Sequence, residues 1–204
     1  MSIYALKPRF QALLRPLAAQ LARAGVTANQ VTIAAAVISI VVGVLVAWHA
    51  PERTPFLLIP VWMLVRMALN ALDGMLAREF GQQSRLGAYL NELGDVIADV
   101  ALYAPFALQP PFSGFGIAAV IIFAIIAELA GVMGPMIGAS RRYDGPFGKC
   151  DRAFAFGALG LWAGLGGPLP QSLQLILPLF VLLLIATIVN RVQSALSETR
   201  TAGR

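Results

Sequence analysis

Residues 70–99 read NALDGMLAREFGQQSRLGAYLNELGDVIAD, and they set Asn70, Asp73, Arg78, Asn91, Glu92, Asp95 and Asp99 at the seams between long apolar runs. Charge is scarce in this chain: of 204 residues 58% are hydrophobic and 12% charged, and the mean hydropathy is +0.76. Ordinary soluble domains hold roughly 45–50% apolar residues, so the composition predicts a membrane protein. Acids in such a setting need partners, because an ionised carboxylate at the centre of a membrane helix costs at least about 2.5–3.5 kcal/mol.

Outward from this stretch, apolar runs long enough to cross a hydrocarbon core recur near 30–49, 56–75, 88–108, 114–138, 153–168 and 171–192. The fifth is short and carries Gly157, Gly160, Gly164, Gly166 and Gly167. No strand precedes these glycines, so they suit close helix packing rather than a nucleotide loop. The expected architecture is all-α and polytopic: a single domain over 1–204, with a six-helix transmembrane bundle over 30–192 and a cytoplasmic tail over 193–204. Ahead of the bundle, Leu6, Phe10, Leu13, Leu14, Leu17 and Leu21 recur at helical spacing, while Lys7, Arg9, Arg15 and Arg23 lie mostly off that face. This predicts an interfacial amphipathic helix over 1–25, bent at Pro16, rather than a signal peptide. Neither a repeat nor a linker divides the chain.

Six crossings put the N-terminus, the 76–87 and 139–152 loops and the C-terminus on one side. Of the 15 Lys and Arg residues, all but Arg53 and Arg66 fall there, which makes that side cytoplasmic and predicts a bacterial inner-membrane protein. The net charge of +5 lies at helix ends, where topology and anionic headgroups account for it better than nucleic acid does. Cys150 and His49 are the sole cysteine and histidine, so neither a disulfide nor a thiolate or imidazole metal site is expected.

Asn70 and Asp73 are three apart, and Asn91, Asp95 and Asp99 four apart, so on helices each set shares one face; Arg66 joins the first. Brought together across the 76–87 loop, the two faces would form a nest of oxygen donors suited to hard divalent ions, Mg²⁺, Mn²⁺ or Ca²⁺. The alternative is helix–helix glue, with the acids paired to Arg66, Arg78 or Arg85.

The order of residues adds more. Asn70-Ala71-Leu72-Asp73-Gly74-Met75-Leu76-Ala77-Arg78, eight residues, then Gly87 through Asn91 to Asp95 resembles the signature of the CDP-alcohol phosphatidyltransferase family, D-x-x-D-G-x-x-A-R, eight residues, G-x-x-x-D-x-x-x-D. The departures are Asn70 and Asn91, where that pattern has its first and third aspartates. The resemblance implies that Asp73 and Asp95 bind one or two Mg²⁺ or Mn²⁺ ions, with Asn70 and Asn91 as neutral ligands and Asp95 as general base. It also implies that Asp73, Gly74, Ala77, Arg78 and Gly87 receive a CDP-linked donor. Asp99, one turn beyond Asp95, is the better candidate to restore lost charge; Glu92 points about 100° from Asn91.

The stretch GASRRYDGPFGKCDRAF, residues 138–154, gathers Arg141, Arg142, Lys149 and Arg152 on the side of the ladder. Positive-inside topology accounts for such charges by itself, and an acceptor phosphate would also suit them. Glu128 is a lone acid within the fourth run, where it needs an arginine or a proton.

The expected function is transfer of a phosphatidyl group from CDP-diacylglycerol to a small phosphorylated alcohol such as glycerol 3-phosphate, with release of CMP, in phospholipid biosynthesis. The expected partners are these two substrates and membrane lipids, with no nucleic acid; a homodimer is left open. The rivals are a CDP-choline or CDP-ethanolamine headgroup transferase, a non-catalytic lipid- or nucleotide-binding relative, and a transporter. The transporter reading lacks an inverted repeat with a broken helix pair.

Overall fold

The computed structural model describes residues 6–202, with side chains described over 10–200. Seven α-helices account for most of them: α1 (Leu6–Arg23), α2 (Ala28–Trp48), α3 (Leu58–Glu79), α4 (Arg85–Tyr103), α5 (Gly114–Val132), α6 (Lys149–Gly164) and α7 (Ile176–Ala202). Among the described residues there is no strand. Met1–Ile3, Tyr4 and Ala5 of the expected interfacial helix, the side chains of Leu6, Lys7 and Arg9, and Gly203 and Arg204 of the expected tail lie outside the described residues.

Four helical stretches are long and apolar enough to cross a membrane: Ala28–Trp48, Thr54–Glu79, Gly114–Ile137 and Gln171–Arg200. The other two expected spans are helices as well, and the sequence explains why they differ. α4 carries Glu92, Asp95 and Asp99 within its length, and α6 has only 16 residues, a rise of about 24 Å. Isoleucine, valine and leucine project outward along the apolar helices, as at Val37, Val44, Leu179 and Leu182. So extensive an apolar exterior is unlike a water-soluble bundle and fits a lipid surround.

Local chemistry sets the helix starts. Thr27 and Gln30 form a reciprocal capping box at α2, Ser84 accepts from the Gly87 amide at α4, and Asp151 accepts from the Gly148 amide at α6. The 76–87 connection is tied to the start of α2, since Gln82 accepts from the Ala28 amide at 2.7 Å and donates to the Val26 carbonyl at 3.3 Å. α2 packs against both α3 and α4, and the crossing with α4 is close. A Cβ built on Gly43 would lie 2.1 Å from the Ala101 carbonyl oxygen, so only glycine fits there. Gly157, Gly160 and Gly164 lie against Phe56, Leu57, Ile59, Pro60 and Met63, which makes that glycine run the seam between α6 and the α3 segment.

α1 runs as a helix through Pro16 and docks Leu14, Ala18 and Leu21 on Leu72, Met75 and Leu76 of α3, while Leu13 and Leu17 stay exposed. Arg15 donates to both oxygens of Glu79, at 3.0 and 3.1 Å. At the other end of the chain, residues 193–202, expected as a tail, continue α7. The loop after α5 is fastened to that continuation, where Glu198 accepts from the Ser140 amide and hydroxyl. The main apolar core, with Phe56, Tyr103, Phe106, Phe156 and Phe180, fills the other part of the bundle. Most of the buried charged groups, Arg66, Asp99, Arg152 and Arg191, thereby gather in one region between α3, α4, α5, α6 and α7.

Candidate active site

The ladder forms across α3 and α4 in antiparallel order. Arg66 Nη1 donates to Asp99 Oδ1 at 2.6 Å and Arg66 Nη2 to Asp95 Oδ1 at 3.1 Å, while Asn70 Nδ2, one turn further along α3, donates to Asp95 Oδ1 at 3.2 Å. Asp73, a further turn on, accepts from the Thr32 hydroxyl of α2 at 2.8 Å. The 3.6-residue period puts 66, 70 and 73 on one stripe and 95 and 99 on the other, and the shared neighbour α2 holds the two helices beside each other.

α6 enters this groove at its N-terminus. Lys149, its first residue, forms an ion pair with Asp95 Oδ2. Arg152, 1% exposed, donates from Nη2 to Asp99 Oδ2 at 3.1 Å and to Glu128 Oε1 at 2.9 Å. Glu128 therefore has the arginine it needs, and it has more than one: Arg191 Nη1 lies 3.4 Å and Arg141 Nη2 3.8 Å from its Oε2. Asp99, expected as a replacement metal ligand, has both oxygens bonded to arginines instead. A buried ionic network of this kind tolerates little loss, because removing one partner strands a charge in a low dielectric.

The four cations of the 138–154 stretch divide into two groups. Arg141 pairs with Glu92 at 2.6 Å and, with Lys149, borders the ladder. Arg152 lies behind it, on Asp99 and Glu128. Arg142 turns the other way, donating to both oxygens of Asp144 and to Glu198. Its guanidinium holds the Asp144 carboxyl below the ordinary carboxylate range.

Of the residues expected to meet the donor, Asp73 and Gly74 lie on the ladder stripe or beside it. A Cβ on Gly74 would come within 2.7 Å of Arg78 Nη2, so the missing side chain lets the exposed Arg78 fold back over α3. Gly87 stands against the first turn of α2, where a Cβ would meet Asn29 Oδ1 at 2.7 Å. Ala77 packs toward the apolar contact of α1, α2 and α3. Asn91 lies on α4 one turn before Asp95, and among the described residues its side chain makes no hydrogen bond.

Arg191 was not singled out from the sequence beyond its place at a helix end. It is 2% exposed, donates to the carbonyls of Ala127 and Asp144, and draws α7 onto Glu128. The signal available was a lone acid in one apolar run and an arginine inside the end of another, which together predict a pair.

A divalent ion can be tested against these donors. Asp73, Asp95, Asn70 and Asn91 present carboxylate and amide oxygens, the donor type of Mg²⁺ and Mn²⁺, although among the described residues no three Asp, Glu, His or Cys converge. The donor chemistry suits such an ion, while the Asn70 amide and the Lys149 ammonium already face the two Asp95 oxygens.

The family model described as CDP-alcohol phosphatidyltransferase matches residues 25–197. The inner membrane protein YnbA of Escherichia coli is 44% identical over 196 residues, 96% of this chain and 97% of that protein. A phosphatidylinositol phosphate synthase of Streptomyces avermitilis is 27% identical over 205 residues, 95% of this chain and 82% of that protein. An integral membrane chain with this signature, matched from the start of α2 into α7, belongs to the CDP-alcohol phosphatidyltransferase family, the membrane transferases of phospholipid biosynthesis.

Proposed function

We propose that this protein transfers the phosphatidyl group of CDP-diacylglycerol to a small phosphorylated alcohol, glycerol 3-phosphate being the first to test, and releases CMP. The observation that carries this reading is the ion pair of Lys149 with the signature's Asp95, beside which Arg141 pairs with Glu92, so that two cations border the ladder. The acceptor hydroxyl oxygen attacks the phosphorus nearer the lipid, a new P–O bond forms, and the bond from that phosphorus to CMP breaks. Asp95 takes the hydroxyl proton, and no covalent enzyme intermediate is needed. Arg78, folded over Gly74, receives the cytidine diphosphate, while Arg141 and Lys149 hold the acceptor phosphate. A divalent ion held by Asp73 and Asp95, with Asn70 and Asn91 as neutral ligands, would neutralise the diphosphate and stabilise the leaving oxygen.

α4 and α6 complete six crossings in this reading. The helix ends tied by Gln82, Ser140 and Lys149 then share the cytoplasmic face of the inner membrane, and Arg53, bonded to the Gly167 carbonyl, marks the opposite face. α1 lies along the cytoplasmic interface.

One observation favours a second reading of the acceptor. Every cation of the 138–154 stretch already has an acidic partner, which suits an uncharged alcohol equally well. Purified protein with CDP-diacylglycerol and a panel of phosphorylated and plain alcohols, read by lipid mass spectrometry and CMP release, separates the two. A phosphatidyl product with a phosphorylated alcohol, lost in Asp95→Asn, is the expected result. No CMP from any alcohol overturns the reading.

A further inference from the structure

We propose that the Lys149 ammonium and the Asn70 amide stand in for a second divalent ion, so that this chain holds a single ion. The inference rests on the preceding section only for which oxygens are the ion's ligands. Two carboxylates facing each other at 70 and 95 would need a cation between them. Here position 70 is an amide, and it donates straight to Asp95 Oδ1 at 3.2 Å. A carboxylate at 70 has no hydrogen to give. The second oxygen of Asp95 faces the Lys149 ammonium, and Arg66 also donates to its first. Asp95 is thus satisfied by three groups belonging to the protein.

Lys149 is not a loose surface charge. It is the first residue of α6, whose start is capped by Asp151 and whose next turn is pinned by Arg152 to Asp99 and Glu128. The ammonium is therefore delivered to Asp95 by buried contacts on the same helix. The other acid able to supply charge on this face, Asp99, has both oxygens on Arg66 and Arg152. What remains for ions is the charge of Asp73 and Asp95, two negative charges already offset by Lys149 and in part by Arg66, which Asp95 shares with Asp99. Two divalent ions would set four further positive charges against them, and their mutual repulsion a few Å apart has no acid to relieve it.

Manganese binding tests this without turnover. Mn²⁺ is titrated into purified, detergent-solubilised protein, and the bound ion is counted by equilibrium dialysis and examined by electron paramagnetic resonance. The parent is expected to bind one Mn²⁺ per chain with the spectrum of an isolated ion, and so is Lys149→Arg. The triple variant Asn70→Asp, Asn91→Asp, Lys149→Met is expected to bind two, with dipolar coupling between them. Two ions or none in the parent overturns the proposal, and this arm depends on no substitution; so does a folded triple variant that still binds one. CMP release is read separately: one bound Mn²⁺ without turnover would sink the proposed transfer and leave this inference standing.

Discussion

Arg141 and Arg142 are neighbours in the chain and opposite in what they touch. Arg141 reaches Glu92 and Glu128 at the ladder and lies 4.5 Å from the ring of Tyr143, whereas Arg142 closes on Asp144 and Glu198 at the far side of the loop. If Arg141 holds an acceptor phosphate, Arg141→Gln removes charge-assisted hydrogen bonds worth about 1.5–3 kcal/mol. The acceptor KM should then rise about tenfold or more while the donor KM stays near the parent's. Arg142→Gln should leave both KM values and lower thermal stability instead. Equal effects of the two substitutions on the acceptor KM would return both residues to a topological role.

At the scale of elements, α2 organises the site although the signature lies on α3 and α4. It supplies Thr32 to Asp73, and it packs on α4 through Gly43, with Gly94 of α4 meeting Thr32 and Ala36 further along. The two glycines differ in the room they have. A Cβ on Gly43 would be 2.1 Å from the Ala101 oxygen, backbone that cannot rotate aside, while a Cβ on Gly94 would be 3.5 Å from the Ala36 methyl, an ordinary contact. Gly43→Ala should therefore force the helices apart, cost about 1–3 kcal/mol and lower the melting temperature in detergent by about 5 °C. Gly94→Ala should melt with the parent. A Gly43→Ala protein that melts with the parent would show that the α2–α4 crossing yields to an added methyl group.

For the whole molecule, the arrangement places the 138–154 loop and the sole cysteine at the same end as the acids. Cys150 is exposed and adjoins Lys149, so it reports on the side that the site faces. A membrane-impermeant maleimide should label it in inverted inner-membrane vesicles and leave it unlabelled in intact spheroplasts. The reverse pattern would put the acids on the outer face and overturn the orientation drawn from the basic residues.

Much of this was legible in the chain by itself. Helical class, the apolar runs and the place of the signature follow from local hydropathy and from a motif confined to residues 70–95, because a lipid surround obliges each segment to satisfy its own backbone and expose its own apolar side chains. The helices observed overlap all six runs, and the caps at Thr27 and Ser84 sit where short polar residues precede them. Partner choice was not legible. Asp99 takes Arg66 and Arg152, 33 and 53 residues away, and Glu128 gathers Arg152 and Arg191 from helices that hydropathy cannot order in space. Spacing showed that Asn70, Asp95 and Asp99 could share a groove. Only the packing of α2 against α3 and α4, and the reach of Lys149 and Arg152 from α6 to α4, decided which acid faces Lys149 and which is sealed between arginines, since those pairings depend on helix neighbours rather than on sequence neighbours.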